Sequence, residues 1–171
     1  MRLFIAIRFS EEILDALEEI QEDWRMQGVF GNYTKTENLH LTLAFIGEYP
    51  DPELIREIIS QVRFKPFRLR LEGLGSFGSR LWWAGLSESA ELKSVVRQLR
   101  HLLAEADVPF DRKKFSPHIT LVRKPQVPKG LTGGRDEVLV PASVPGAEMI
   151  VDHISLMRSD RGKNGMIYTE L

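Results

Sequence analysis

The sequence predicts an α+β fold built from two similar lobes. Helical patterns alternate with short strand patterns along the 171 residues, and no long linker or low-complexity segment interrupts them. Each half is predicted to contain a helix, a strand that carries a histidine, and then a pair of strands. The pattern His-x-Thr-Leu occurs in both histidine strands, at 40–43 and at 118–121. We therefore expect a single bilobal domain over residues 1–171, with pseudo-twofold symmetry between its lobes.

The first half opens with a segment that is apolar on both faces, which is typical of a central strand. Ser10 followed by Glu11 and Glu12 then indicates the start of an amphipathic helix. Further along, Asp51 is the expected cap of a second helix whose first residue is Pro52. The predicted elements of this half are a strand at 3–9, a helix after Ser10, a strand at 38–48, a helix at 51–62, and hairpin strands at 67–77 and 80–86.

The second half is predicted to begin with an amphipathic helix at about 89–106, and the second histidine strand follows at 116–124. Residues 125–136 are rich in Pro, Gly and Lys, which indicates an exposed loop. The chain then has two strand patterns, at 147–159 and 165–171, joined by the turn-rich segment "DRGKNG".

Composition and charge exclude several classes of protein. The formal net charge is −1, which argues against a long, sequence-independent nucleic-acid track but is compatible with a pocket for one phosphate or one RNA end. The absence of cysteine excludes disulfides, thiolate catalysis and cysteine-based metal sites. No apolar run is long enough for a membrane span, and the N-terminus lacks a signal-peptide pattern. We therefore expect a cytoplasmic protein without a membrane partner. We also expect a monomer, although the sequence does not fix the oligomeric state.

The two histidine strands each have an apolar face and a polar face. Because side chains alternate along a strand, His40 and Thr42 share one face of the first strand, as do His118 and Thr120 in the second. Strict alternation adds Ala44 and Val122 to these faces and assigns Phe45 to the apolar one. A single His-x-Thr is commonly a half-exposed strand face, but two copies are less easily accidental. We expect the two histidines on neighbouring central strands, facing each other across one cleft.

Two facing imidazoles suit metal-free cleavage of a phosphodiester. Histidine titrates near neutral pH, so that one ring can act as a general base while the other acts as a general acid. Threonine hydroxyls beside them can donate hydrogen bonds to the non-bridging phosphate oxygens. The layout is therefore suited to in-line displacement at phosphorus.

The paired motifs resemble those of the two-histidine phosphoesterase superfamily. The segments "RLFIAI", "NLHLTLAFIGE", "RLWWAGL" and "SPHITLVR" are similar in particular to the bacterial and archaeal RNA 2′,3′-cyclic phosphodiesterases, formerly called 2′-5′ RNA ligases. The resemblance implies an α+β fold in which antiparallel sheets line a central cleft and the helices lie outside. It also implies hydrolysis of RNA 2′,3′-cyclic phosphate ends to 2′-phosphomonoesters without a metal or cofactor, and a reverse 2′-5′ ligation activity in some members.

The resemblance also assigns roles by position. It makes His40 the proton donor and His118 the proton acceptor, whereas the near-symmetry of the two motifs does not decide between them. Thr42 and Thr120 would bind the phosphate. Arg123 matches an arginine that family members often have after the second motif, but strict alternation places it on the core face. It would reach the phosphate only if the strand ends or twists there.

Two other functions remain open from the sequence. One is a non-catalytic module that binds nucleotides or RNA ends on the same scaffold; the presence of both histidines favours an enzyme. The other is a metallohydrolase with His40 and His118 as ligands, although neither motif has an Asp or Glu beside its histidine on the cleft face. The expected partners are RNA ends, including tRNA fragments, or small cyclic-phosphate nucleotides.

Overall fold

The computed structural model describes residues 1–132 and 139–171. These residues form nine strands and four helices, together with a single 3₁₀ turn at Thr36–Asn38. In chain order the elements are β1 (Arg2–Arg8), α1 (Glu11–Met26), β2 (Phe30–Tyr33), β3 (His40–Glu48), α2 (Pro52–Ser60), β4 (Phe67–Phe77), β5 (Leu81–Leu86), α3 (Ala90–Glu105), β6 (Ile119–Gln126), α4 (Lys129–Thr132), β7 (Glu148–Val151), β8 (Ser155–Gly162) and β9 (Gly165–Glu170). None of the helices described here is long and apolar enough to cross a membrane.

Two antiparallel sheets form the framework, and this confirms the predicted α+β class. The first sheet has the strand order β3-β1-β8-β9, and the second has the order β2-β6-β5-β4-β7. Apart from the additional strand β2, the two orders correspond, with the strand of each histidine motif next to β1 in one sheet and next to β5 in the other. This correspondence is the pseudo-twofold relation that the duplicated motif predicted.

The lobes do not coincide with the two halves of the sequence. Helices α2 and α3 contribute to the core beneath the first sheet, whereas α1, from the first half, packs against β6 and β7 of the second sheet. Strands β8 and β9, from the second half, complete the first sheet, and β2 joins β6 in the second. The chain therefore crosses between the lobes several times, and a simple division into an N-terminal and a C-terminal lobe is wrong.

The predicted helix starts are confirmed. The side chains of Ser10, Asp51 and Ser89 each accept a hydrogen bond from the backbone N–H three residues later, at Ile13, Leu54 and Leu92 respectively. These caps satisfy N–H groups that the first turn of a helix leaves without a partner.

Three strand predictions need correction. The segment 27–37 contains the strand β2, which no clear pattern in the sequence predicts. The second histidine strand begins at Ile119 and continues to Gln126, so the predicted loop at 125–136 starts too early; its residues 133–136 lie outside the described part. The predicted strand at 147–159 is two strands in different sheets, because β7 pairs with β4 and β8 pairs with β1. The break at 152–154 is where the chain passes from one sheet to the other.

Candidate active site

Both histidine motifs line one cleft between the two sheets. The cleft has a volume of about 490 Å³, and its lining includes His40, Thr42, His118 and Thr120. The strands β3 and β6 contact each other across the sheets, which brings the motifs together. The expectation of neighbouring central strands is wrong in detail, because the strands belong to different sheets and β3 is an edge strand. The shared cleft itself agrees with the expectation.

The two imidazoles are held in the same way. Nδ1 of His40 lies 2.7 Å from the carbonyl oxygen of Asn38, and Nδ1 of His118 lies 2.7 Å from that of Ser116. A carbonyl oxygen can only accept, so each Nδ1 carries a proton and donates it. Each Nε2 is therefore left for proton transfer. In the structure, Nε2 of His40 is 2.9 Å from the Thr42 hydroxyl.

A β-bulge lies at the last residue of each His-x-Thr-Leu motif. In β3 the register passes from Thr42, opposite Ala6, to Ala44, opposite Ile5, so that Leu43 is the extra residue. In β6 the register passes from Thr120 to Val122 between Trp83 and Trp82, and Leu121 is the extra residue. A bulge of one residue exchanges the two faces of the strand beyond it. The leucine of each His-x-Thr-Leu motif thus ends the simple alternation.

The bulges change which side chains enter the cleft. Ala44 and Val122, predicted for the cleft face, are buried in the two hydrophobic cores. Phe45 and Arg123, predicted for the core faces, line the cleft instead. The two positions are equivalent, since each is the fifth residue after its histidine. The cleft therefore has an aromatic ring on one side and a guanidinium at the corresponding place on the other.

Aromatic rings surround both histidines. The ring of His40 lies 4.9 Å from that of Phe4 and 5.2 Å from that of Tyr168, measured between centroids. The ring of His118 lies 4.9 Å from Phe77 and 6.2 Å from Trp83. These contacts restrict the rotation of the imidazoles, and aromatic faces interact favourably with a protonated ring.

The environment of His40 favours its neutral form. Burial of the ring lowers the pKa of His40 below the usual 6.5, because desolvation penalises the charged imidazolium. The hydrogen bond to the Asn38 carbonyl acts in the opposite direction, and the neighbouring Arg123 and His118 lower the pKa further. The influence of these two residues on His40 is a second sign that the motifs share one electrostatic environment.

The cleft is positively charged. Its lining includes three arginines, Arg2, Arg123 and Arg161, and within residues 1–132 and 139–171 it includes no Asp or Glu. In the same described residues, no group of three His, Cys, Asp or Glu side chains comes close enough to hold a metal ion. Hydroxyls, guanidinium groups and imidazoles are what the cleft offers to a ligand, and this set suits an anion.

Several residues of the site escaped prediction from the sequence. Arg2, Phe4 and Tyr168 come from strands whose place beside β3 depends on distant pairing. Gln21 lies behind the second motif, where its buried amide donates to the carbonyl oxygens of Thr34 and Leu121, each at 2.9 Å. Gln21 did leave a signal, since it is a polar residue four positions after Leu17 on the apolar face of α1.

Comparisons with known proteins agree with this description. The family model of the 2′-5′ RNA ligase superfamily matches residues 10–163. A Thermus thermophilus protein named RNA 2′,3′-cyclic phosphodiesterase is 34% identical, covering 100% of this chain and 88% of the relative. One of the same name from Archaeoglobus fulgidus is 33% identical, covering 100% and 98% respectively.

Solved structures extend the similarity to the whole fold. A crystal structure of a Thermus thermophilus protein has a TM-score of 0.80 and 33% identity, covering 100% of this chain and 95% of that one. The crystal structure of Escherichia coli LigT complexed with 3′-AMP has a TM-score of 0.76 and 26% identity, covering 99% and 94%. The match to the family model and the full-length relatives lead to one conclusion: the chain belongs to the 2′-5′ RNA ligase superfamily.

Proposed function

We propose that this protein hydrolyses RNA 2′,3′-cyclic phosphate ends to 2′-phosphomonoesters, with His40 as the general acid and His118 as the general base. The observation that carries the proposal is the matched pair of imidazoles in one cationic cleft, each with Nδ1 bonded to a backbone carbonyl. The names of the relatives, RNA 2′,3′-cyclic phosphodiesterase, support the same activity.

In the proposed reaction, Nε2 of His118 takes a proton from water as the water oxygen attacks phosphorus. The bond from phosphorus to the ribose 3′-oxygen breaks, and His40 donates its Nε2 proton to that oxygen. The hydroxyls of Thr42 and Thr120, with the Arg123 guanidinium, bind the non-bridging oxygens, where they are also placed to stabilise charge in the transition state. The product keeps its phosphate on the 2′-oxygen, and no metal or cofactor takes part.

The lowered pKa of His40 is compatible with its role as the acid. A phosphodiester carries a negative charge, and its arrival beside Nε2 favours the imidazolium over the neutral ring. The substrate then also offsets the positive charge of Arg123, which lowers the pKa of His40. In this proposal, binding of the substrate raises the pKa of His40. The ring then takes up a proton from solvent and becomes the acid that the reaction needs.

The proposal includes a cellular setting. We place the enzyme in the cytoplasm as a monomer that acts on RNA ends, among them tRNA fragments, or on small cyclic-phosphate nucleotides. Ligation would follow the same course with a ribose 5′-hydroxyl in place of water at the base. That hydroxyl attacks phosphorus, the bond to the 3′-oxygen breaks, and a 2′-5′ linkage is the product.

The test is incubation of the protein with a short RNA that ends in a 2′,3′-cyclic phosphate, in the presence of a chelator. We expect a 2′-phosphomonoester product, and nearly complete loss of turnover in folded His40→Ala and His118→Ala variants. Arrest of the reaction by the chelator would support a metallohydrolase instead. Binding of the RNA without turnover would support a non-catalytic module. Wild-type turnover in either folded variant would contradict the two-histidine mechanism.

A further inference from the structure

The cleft extends beyond the histidine motifs to a pair of arginines, Arg2 and Arg161. Arg2 lies on β1 opposite Ser159 of β8, and Arg161 lies two residues beyond Ser159 on the same strand. Since alternate residues of a strand share a face, Ser159 and Arg161 point to the same side, and all three residues line the cleft. Arg2 and Arg161 thus extend from the first sheet, whereas Arg123 belongs to the second motif.

The arginine pair is too far along the sheet to share the reacting phosphate. Thr42 is opposite Ala6, four residues from Arg2 along β1. At about 3.3 Å per residue the two levels are separated by about 13 Å. The guanidinium of Arg2 leans part of the way back, with Cζ 5.1 Å from the centre of the Phe45 ring. Even so, Phe4 and Phe45 line the cleft between the levels of Arg2 and the motif, and their rings offer an apolar surface to a nucleoside that joins two phosphates.

Among residues 1–132 and 139–171, no carboxylate lines this positively charged end of the cleft. The residue opposite Arg2 on β3 is Glu48, but its carboxylate is exposed, lies outside the lining of the cleft and pairs with the ammonium group of Met1 at 3.2 Å. Ser159 is buried beside Arg2, its cross-strand neighbour, and adds a hydroxyl donor. Guanidinium groups with a hydroxyl form a donor set that suits a phosphate.

We propose that Arg2, Arg161 and Ser159 form a second anion subsite, which binds the phosphate on the 5′ side of the terminal nucleotide. The inference rests on the proposed function, because it takes the histidine motifs as the position of the cyclic phosphate. The preferred substrate is then a nucleotide with two phosphates, either the end of an RNA chain or a single nucleotide with a 5′-phosphate. A nucleoside 2′,3′-cyclic phosphate fills only half of the site.

The experiment compares three substrates: adenosine 2′,3′-cyclic phosphate, its 5′-phosphorylated form, and the dinucleotide ApA with a 2′,3′-cyclic end. For the wild type we expect kcat/KM to be at least tenfold higher for one or both of the substrates with two phosphates. Preference for the 5′-phosphorylated nucleotide would show that the subsite binds a phosphomonoester. Preference for the dinucleotide would show that it binds an internucleotide phosphodiester.

The variant R2Q/R161Q should lose at least tenfold more kcat/KM on the favoured substrates than on adenosine 2′,3′-cyclic phosphate. The matched control is Arg158→Gln, because Arg158 is on the same strand, pairs with Asp160 at 2.8 Å and does not line the cleft. The control should keep the wild-type preference. Equal losses on all three substrates, or no wild-type preference, would overturn the subsite and leave the proposed function standing. Failure of the wild type on all three would instead reject the proposed function.

Discussion

Gln21 offers a test of how the second motif is positioned. Its amide donates to the carbonyl of Leu121, the bulged residue, and to that of Thr34, a residue of the cleft lining. The N–H of Thr34 also donates to the Leu121 carbonyl, at 3.0 Å. These bonds fix the bulge that turns Arg123 into the cleft. We predict that Gln21→Met, which keeps the length of the side chain and removes both donors, will weaken activity as well as stability.

The magnitude follows from the bonds that are lost. A buried hydrogen bond contributes about 0.5–1.5 kcal/mol net, so two bonds correspond to about 1–3 kcal/mol of the free energy of unfolding. The Leu121 carbonyl keeps its bond from Thr34, whereas the Thr34 carbonyl loses the amide as a donor. A shift of about 1 Å in a catalytic group can cost about 100-fold in rate. We therefore expect kcat to fall by about tenfold or more, with a smaller effect on KM.

The assay is urea unfolding together with kcat and KM on a cyclic-ended dinucleotide. Gln27→Met is the matched control, because Gln27 also donates twice, to the Asp23 carboxylate at 3.2 Å and to the Pro141 carbonyl at 3.0 Å. Gln27 caps the C-terminus of the same helix and lies outside the cleft lining. The control should lose stability without a change in kcat. If Gln21→Met is destabilised but keeps the wild-type kcat, the positioning argument is wrong.

Three further predictions follow from the geometry of the motifs. Thr42→Ala and Thr120→Ala should each lose a hydrogen bond to the phosphate worth about 1.5–3 kcal/mol. Steady-state kcat/KM should fall further for Thr42→Ala, because in the described residues Thr42, unlike Thr120, also forms a hydrogen bond with its histidine. An equal or reversed order of the two losses would contradict this. Burial lowers the pKa of His40 in the folded protein, so the unfolded chain binds a proton at this ring more readily. The folded state therefore keeps its full free energy of unfolding above about pH 6.5, and part of it is lost as the pH falls through the lower pKa of the folded state. Urea unfolding at about pH 8 and pH 5 should therefore show a smaller loss of stability for His40→Gln than for the wild type, and an identical loss would argue against it. Sulfate, which does not titrate in this range, should raise the pKa of His40 in imidazole NMR titrations by supplying the missing negative charge, and an unchanged titration would count against anion binding beside the ring.

The sequence was sufficient to predict the helix starts and the polar face of each motif strand, because both depend on local patterns. Ser10 and Asp51 are followed by residues that make helix caps recognisable, and His-x-Thr repeated on two strands indicates two similar polar faces. Interactions within a few residues of one another determine these features.

The faces beyond each threonine were predicted wrongly, because bulges depend on strands that are distant in sequence. The leucines at 43 and 121 look like ordinary strand residues, and only their pairing with β1 and β5 makes them the extra residues. The bulge at Leu121 turns Arg123 into the cleft, whereas strict alternation assigned this side chain to the core face. The same limit applies to 147–159, where a continuous β pattern concealed a change of sheet.

The most direct test of the central claim, an acid at His40 and a base at His118, changes the leaving group. A ribose oxygen needs a proton to leave, and general acid catalysis typically contributes about 10²- to 10⁴-fold. A nitrophenolate leaves readily without that proton. Each alanine variant is therefore measured on a cyclic-ended RNA and on a nitrophenyl phosphodiester that the wild type accepts. The account predicts that His40→Ala is severely impaired on the RNA but partly restored on the nitrophenyl ester, whereas His118→Ala is impaired on both. Restoration of His118→Ala in place of His40→Ala would contradict the assignment.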